Sequence, residues 1–125
     1  MEGTRSKPLV LLVDDNDDIR DMMRLILEDG GFSVIEAANG LQAVEKAASN
    51  PPSVILMDVA MPLMDGIEAA QEIRSRDGLG YVPIIAVTAH GREYHDKAME
   101  VGFNEVMQKP IDFFSLNSAI NRWVH

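Results

Sequence analysis

The sequence contains no cysteine, which excludes a disulfide framework and fits a reducing compartment. It also lacks any apolar run long enough to cross a membrane. Residues 1–7 lack the apolar core of a signal peptide. We therefore expect a cytoplasmic protein with a loose polar leader over residues 1–7 and no membrane partner.

Basic residues are scarce, with 11 Lys and Arg against 20 Asp and Glu, so the formal net charge is −9. Without a basic patch, direct binding to nucleic acid is not expected. An acidic surface suits a protein whose partner is basic or whose ligand is a cation. The 125 residues, 46% of them apolar, predict a single domain over residues 1–125 with a substantial core.

Short apolar runs alternate with helical patterns along the chain. The first, third and fourth runs are nearly continuous in Val, Ile and Leu, which is typical of strands buried on both faces. The predicted strands are Leu9–Val13, Ser33–Ala37, Val54–Met57, Ile84–Thr88 and Glu105–Gln108.

Helices are predicted after each of these runs from the spacing of apolar residues. The first presents Ile19, Met22, Met23, Ile26 and Leu27 on one face and ends at Gly30-Gly31. The others are a second helix capped by Asn39 with Leu41, Val44, Ala47 and Ala48 facing inward, a third over about Gly66–Arg76, a fourth near Glu93–Val101, and a fifth using Phe113, Leu116, Ile120 and Val124. This alternation predicts a parallel sheet covered by helices on both faces.

Chemically active side chains follow the predicted strands at their carboxyl ends, where such sheets bind ligands. Asp14 and Asp15 follow the first strand, and Asp58 follows the third. Thr88 ends the fourth strand, and Lys109 follows the fifth. The sequence therefore predicts that three carboxylates, a hydroxyl and an ammonium converge at one edge of the sheet.

A hard divalent cation would relieve the repulsion among Asp14, Asp15 and Asp58, and a site made only of oxygen ligands suits Mg²⁺. A carboxylate beside such a cation and a lysine can act as a nucleophile toward phosphorus. Asp17 and Asp18 need no such role, because acids in the first turn of a helix complement its dipole.

Four motifs, VDDN, LMDVAMPLMDG, VTA and QKP, occur in this order at the predicted strand ends. With these motifs the sequence resembles the receiver domain of bacterial two-component response regulators, over about Lys7 to Val124. The resemblance implies a flavodoxin-like, doubly wound (βα)5 sandwich of the α/β class. Its five-stranded parallel sheet would have the order 2-1-3-4-5.

The resemblance also implies roles for individual residues. Asp58 matches the residue that accepts a phosphoryl group from a histidine kinase or a histidine phosphotransfer protein. Asp15 and Asp58 match direct Mg²⁺ ligands, and Asp14 matches the acid that holds the metal through water. Ala60 matches the position that lends its backbone carbonyl to the metal.

Further matches concern the response to phosphorylation. Thr88 matches the switch hydroxyl and Lys109 the phosphate-binding lysine, and the Lys109–Pro110 bond matches one that is usually cis. The response would alter the face made of the fourth helix, the fifth strand and the fifth helix, which an output protein reads. Val106 departs from the pattern because the family usually has Tyr or Phe there. His90, like Ala60, occupies a position that tunes the phosphate lifetime.

Other functions agree less well with the sequence. An EF-hand loop starting at Asp14 would need Gly where Ile19 stands and Glu where Leu25 stands. A haloacid-dehalogenase phosphatase would need an acid where Ala60 stands. The serious alternative is a phosphorylation-independent interaction module on a receiver scaffold, which Val106 favours mildly. In either case we do not expect an enzyme acting on external substrates.

Overall fold

The computed structural model describes residues 7–59, 65–89, 96 and 99–124, without the side chain of Phe113. Its strands are β1 (Leu9–Val13), β2 (Ser33–Ala37), β3 (Val54–Asp58), β4 (Ile84–Thr88) and β5 (Glu105–Gln108). All neighbouring strands are parallel, in the order β2-β1-β3-β4-β5. The structure therefore confirms the predicted sheet and its order.

The three central strands are the ones with nearly continuous apolar sequences. Every residue of β3 and β4 is buried, whereas β2 and β5 at the two edges are mostly half-buried. One boundary differs from the prediction, because β3 extends to Asp58, which pairs with Val87 of β4. The acid predicted to follow the strand is thus its last residue, and strand pairing fixes its backbone.

The helices are α1 (Asp17–Asp29), α2 (Gly40–Ser49), α3 (Gly66–Arg74) and α4 (Phe113–Trp123). Each begins after a side chain that accepts a hydrogen bond from a backbone N–H of the first turn, which satisfies a donor that the helix leaves unpaired. These capping residues are Asn16, Asn39, Asp65 and Asp112. The helix predicted near Glu93–Val101 lies largely outside the described residues. Within this range, the structure describes residues 96 and 99–101, and residues 96, 99 and 100 are helical.

Two helices differ in detail from the prediction. In α2, Leu41 and Ala48 are exposed, and Ala43 joins Val44 and Ala47 on the buried face. Leu41 lies two residues before Ala43 and therefore projects about 200° away from it around the helix. In α1, Met22 is 54% exposed although Met23 next to it is buried, and α3 ends at Arg74 instead of continuing to Arg76.

The core forms two layers, one on each face of the sheet. Apolar residues of α2 and α3 pack on one face, together with Phe103. Apolar residues of α1 and α4 pack on the other. This confirms helices on both faces, so the ends of the strands are left for a ligand site. None of the helices in the described part of the chain is long and apolar enough to cross a membrane.

Candidate functional site

The carboxyl ends of β1, β3 and β4 meet at one edge of the sheet. Among the described residues, the polar side chains that are buried are Asp14, Asp58 and Thr88, and all three lie at this edge. Buried polar groups require hydrogen bonds or charged partners to offset the loss of hydration. Their concentration at one place marks this edge as the candidate site.

Asp14, Asp15 and Asp58 form a compact acid cluster, confirming the predicted convergence of three carboxylates. Each offers one carboxylate oxygen, and these oxygens lie within 4.8 Å of one another. Ligands of an octahedral Mg²⁺ at about 2.1 Å lie about 3 Å apart when adjacent and about 4.2 Å apart when opposite. Carboxylate oxygens this close to one another can share one Mg²⁺, either directly or through a bound water, and the all-oxygen donor set suits this hard cation.

Asp14 is the most deeply buried acid of the cluster, at 3% exposure. Burial raises its pKa above the usual value, and the negative charges of Asp58 and Asp15 act in the same direction. The backbone N–H of Asn16 opposes this change by donating to Asp14 Oδ1 over 2.9 Å, as does the charge of Lys109. The metal-free cluster thus holds a carboxylate whose charge the surroundings disfavour.

Lys109 brings the predicted positive charge to the cluster. Its Nζ donates to Asp58 Oδ2 over 3.1 Å, and its backbone N–H donates to the Thr88 carbonyl oxygen over 2.7 Å. The side chain is about one-third exposed, whereas that of Asp58 is almost fully buried. The Lys109–Pro110 peptide bond is cis, as the resemblance implied.

Gly66 places the start of α3 directly against the backbone of Asp58. Its N–H donates to the Val59 carbonyl oxygen over 3.1 Å. A Cβ atom on Gly66 would lie 2.7 Å from Val59 Cα and 2.8 Å from the Asp58 carbonyl oxygen. Only glycine fits this approach, so Gly66 helps to fix where Asp58 stands.

Sequence reasoning missed the contacts of Arg20 with the acid cluster. The side chain is 14% exposed, and its Nη1 donates to the Asp14 carbonyl oxygen over 2.8 Å. The i,i+3 spacing from Asp17 gave a signal for one partner, with which Arg20 pairs at 2.7 Å. Its other partners depend on how α1 lies on the sheet, which the spacing does not reveal.

Two residues predicted at the site, Ala60 and His90, lie outside the described residues.

Val106 is half-buried on β5 and packs against the core layer of α2 and α3. Beside it, Glu105 accepts a hydrogen bond from Trp123 Nε1 over 2.7 Å and also pairs with Arg122. These contacts tie β5 to the end of α4.

An apolar groove of about 410 Å³ opens beside Lys109, between α1 and the segment that follows β5. Ile19, Met22 and Ile26 contribute from α1, and Pro110 and Ile111 from the other side. Met22 accounts for its exposed apolar rim, since more than half of that side chain is accessible to solvent. The acid cluster is thus flanked by an apolar groove that begins at Lys109.

Comparison with known proteins agrees with this geometry. The family model described as the response regulator receiver domain matches residues 10–121. The chemotaxis protein CheY of Halobacterium salinarum is 39% identical over 113 residues, covering 90% of this chain and 92% of that protein. The regulatory protein PhoP of Bacillus subtilis is 34% identical over 89% of this chain but only 46% of its own length.

Solved structures show the same fold. CheY4 of Vibrio cholerae superimposes with a TM-score of 0.91 at 32% identity, covering 95% of this chain and all of that one. The receiver domain of the sensor histidine kinase PA1611 of Pseudomonas aeruginosa, solved with a magnesium ion coordinated in its active-site cleft, gives a TM-score of 0.88. It is 33% identical, over 94% of this chain and 98% of that one. The chain therefore belongs to the family of response regulator receiver domains of two-component systems.

Proposed function

We propose that residues 1–125 form a single receiver domain in the cytoplasm, in which Asp58 accepts a phosphoryl group. The donor is a phosphohistidine on a sensor kinase or on a histidine phosphotransfer protein. The observation that carries the proposal is a buried carboxylate, Asp58, bonded to Lys109 at 3.1 Å within a cluster of acids. Elsewhere among the described residues, no buried acid of this kind is found.

The reaction forms a bond between an Asp58 carboxylate oxygen and phosphorus and breaks the phosphorus–nitrogen bond of the phosphohistidine. The electron pair of the broken bond stays on the imidazole nitrogen, which takes up a proton. Lys109 holds its positive charge beside Asp58, where the phosphoryl oxygens arrive, and stabilises their negative charge. Thr88, at the end of β4, donates a hydrogen bond to the phosphoryl group of the product.

Mg²⁺ would be held by Asp15 and Asp58 directly, by Asp14 through water and by the backbone carbonyl of Ala60. A bound Mg²⁺ would supply the further positive charge that the transferring phosphoryl group requires. The three carboxylates that lie within 4.8 Å of one another support this assignment. The protein performs only its own phosphorylation and dephosphorylation and does not act on external substrates.

Phosphorylation adds about one to two negative charges beside Thr88 and Lys109. We propose that this local change biases a two-state equilibrium in the face made of the segment after β4, of β5 and of α4. An output protein then binds the altered face. The links from Lys109 to Thr88 and from Glu105 to Trp123 support this route, because they join the site to β5 and β5 to α4.

Intact-mass spectrometry after incubation with Mg²⁺ and acetyl phosphate tests the proposal. We expect the mass of one phosphoryl group to be added to the wild type, but none to be added to Asp58→Asn. Asp77→Asn, which removes an exposed acid beyond α3, should be modified normally. Modification of Asp58→Asn at the wild-type rate would refute the assignment. Failure of the wild type with acetyl phosphate and with histidine donors would favour a phosphorylation-independent interaction module instead, which the valine at position 106 already permits.

A further inference from the structure

The guanidinium group of Arg20 joins three separate segments next to the acid cluster. Nε donates to Glu36 Oε1 on β2 over 2.9 Å. Nη1 donates to the Asp14 carbonyl oxygen at the end of β1 over 2.8 Å, and Nη2 donates to Asp17 Oδ1 in the first turn of α1 over 2.7 Å. Each of its three nitrogens is thus engaged, and the side chain is only 14% exposed.

The bond to the Asp14 carbonyl completes the anchoring of that residue. The Asp14 N–H donates to the Ala37 carbonyl oxygen over 3.1 Å, and the Asp14 carboxylate accepts from the Asn16 N–H. The carbonyl belongs to the peptide unit that joins Asp14 to Asp15. Because the atoms of a peptide unit are coplanar, fixing this carbonyl also fixes the positions of the nitrogen and Cα atoms of Asp15.

We propose that Arg20 is a positioning residue of the metal site, which holds the Asp14–Asp15 peptide so that the Asp15 carboxylate faces Asp58. The inference rests on the proposed function, since it assigns Mg²⁺ to this cluster. Without Arg20, the Asp14 carbonyl turns to water and the exposed Asp15 side chain samples directions away from the cluster. Binding of Mg²⁺ then has to order Asp15 as well.

Charge and geometry predict opposite effects of removing Arg20. A positive charge near a cation site weakens cation binding, so loss of that charge alone would tighten it. We expect the geometric effect to dominate, because a ligand that Arg20 no longer orients has to be ordered when Mg²⁺ binds, so removal of the side chain should weaken Mg²⁺ binding. Arg20→Lys keeps the positive charge and changes only the geometry, so this variant separates the two effects.

Arg24 provides a matched control on the same helix. Its Nε lies 3.0 Å from Glu36 Oε2, so it shares a partner with Arg20. Its other ion pairs among the described residues are with Asp21 and Glu28, and it makes no hydrogen bond there to the Asp14–Asp15 peptide. Arg24→Gln thus removes one positive charge from the same helix without removing a hydrogen bond to the Asp14–Asp15 peptide.

Isothermal titration calorimetry tests this inference by measuring the dissociation constant of Mg²⁺ for four metal-free proteins: the wild type, Arg20→Gln, Arg20→Lys and Arg24→Gln. We expect Arg20→Gln to weaken binding about tenfold or more, as is usual for residues that orient metal ligands from outside the coordination sphere. Arg20→Lys should also weaken binding, because one ammonium cannot span the three acceptors that the planar guanidinium reaches. Arg24→Gln should bind as the wild type does. Circular dichroism establishes that each variant is folded under the conditions of the titration.

A kinetic measurement separates positioning from a general loss of structure. With acetyl phosphate, the Arg20 variants should need more Mg²⁺ for half-maximal phosphorylation but approach the wild-type rate at saturating Mg²⁺. Wild-type or tighter Mg²⁺ affinity in Arg20→Gln, wild-type affinity in Arg20→Lys, or equal losses in Arg20→Gln and Arg24→Gln would each overturn the inference. If the wild type itself bound no Mg²⁺, the proposed function would fail instead, so the two failures are distinguishable.

Discussion

Replacing Asp14 by Asn should stabilise the metal-free protein at neutral pH, although it damages the proposed metal site. The wild-type carboxylate is 3% exposed and shares the cluster with two other acids. Asparagine keeps the size of the side chain and an oxygen that can accept the Asn16 N–H, but it carries no charge. The substitution therefore removes the repulsion from Asp15 and Asp58 and the cost of burying a charge, while it retains the hydrogen bond from the Asn16 N–H.

The expected gain follows from the geometry of the cluster. Two charges 4.8 Å apart, the limit for these oxygens, repel by about 3.5 kcal/mol at an effective dielectric constant of about 20. Asp14 belongs to two such pairs, but solvent around the exposed Asp15 weakens one of them, and the charge of Lys109 offsets part of the remainder. We expect the free energy of unfolding to rise by about 2 kcal/mol after these reductions.

The gain should depend on pH with a definite sign. Burial raises the pKa of Asp14 in the folded protein, so the folded state binds more protons than the unfolded state between the two pKa values. Wild-type stability then falls as pH rises through that interval. The advantage of Asp14→Asn should therefore be complete above the interval and vanish below about pH 4, near the ordinary pKa of aspartate.

Urea unfolding in EDTA, followed by circular dichroism at neutral and at acid pH, measures this difference. Asp77→Asn controls for the general relief of a chain whose net charge is −9. With Mg²⁺ present the difference should narrow or reverse, because the wild type gains more from a ligand that binds its folded state. If Asp14→Asn were less stable than the wild type in EDTA at neutral pH, the reasoning would be refuted, since Lys109 and Asn16 would then outweigh the repulsion.

Three further predictions concern other parts of the chain. Gly66→Ala should lower the free energy of unfolding in urea by about 1–3 kcal/mol and slow phosphorylation, since its Cβ would press on the backbone of Asp58 and Val59. Gly80→Ala, where the nearest atom is at 3.8 Å, should do neither. Met22→Glu, in the apolar groove, should impair transfer from a histidine donor but not from acetyl phosphate, whereas Leu25→Glu, exposed on the same helix but away from the groove, should leave both rates unchanged. Asp112→Asn keeps the cap of α4 but cannot titrate. The backbone and side-chain hydrogen bonds from Ser115 lower the pKa of Asp112. Above about pH 4 the wild type should therefore have a higher free energy of unfolding in urea than this variant, and the difference should disappear as the pH falls.

The strands and the acid cluster could be predicted because they follow from local sequence and one topological rule. Strands buried on both faces are apolar without interruption, which distinguishes β1, β3 and β4 from the edge strands. Residues that follow parallel strands share an edge of the sheet. Together these two rules predict that Asp14, Asp15 and Asp58 share one site, and their carboxylate oxygens, which lie within 4.8 Å of one another, confirm that grouping. Their roles in phosphorylation remain predictions.

Contacts between distant segments could not be predicted from spacing. Arg20 and Glu36 are separated by 16 residues, and only the angle at which α1 crosses the sheet brings them together. Arg74 is similar, since in the sequence it is an ordinary charge at the end of a helix. In the fold it is partly buried and donates to the carbonyl oxygen of Gly102 and to Asn104 Oδ1. Burial lowers the pKa of Arg74. This change depends on how the helix packs against other segments and could not be predicted from the helix sequence.

The repulsion within the acid cluster is tolerated because apolar burial fixes β1 in place. Val10, Leu11, Leu12 and Val13 are each no more than 1% exposed, and burying such side chains stabilises the fold by about 1.5–3 kcal/mol apiece. That sum, about 6–12 kcal/mol, is of the same order as the repulsion among the three pairs of acids at about 3.5 kcal/mol each. The charge of Lys109 and the solvent around the exposed Asp15 reduce this repulsion further. The strand therefore holds Asp14 and Asp15 against Asp58 even though the three carboxylates would separate if they were free. A cation would relieve repulsion that the fold cannot relieve by moving, so the same packing that raises the energy of the metal-free edge would raise the affinity of the proposed site for Mg²⁺.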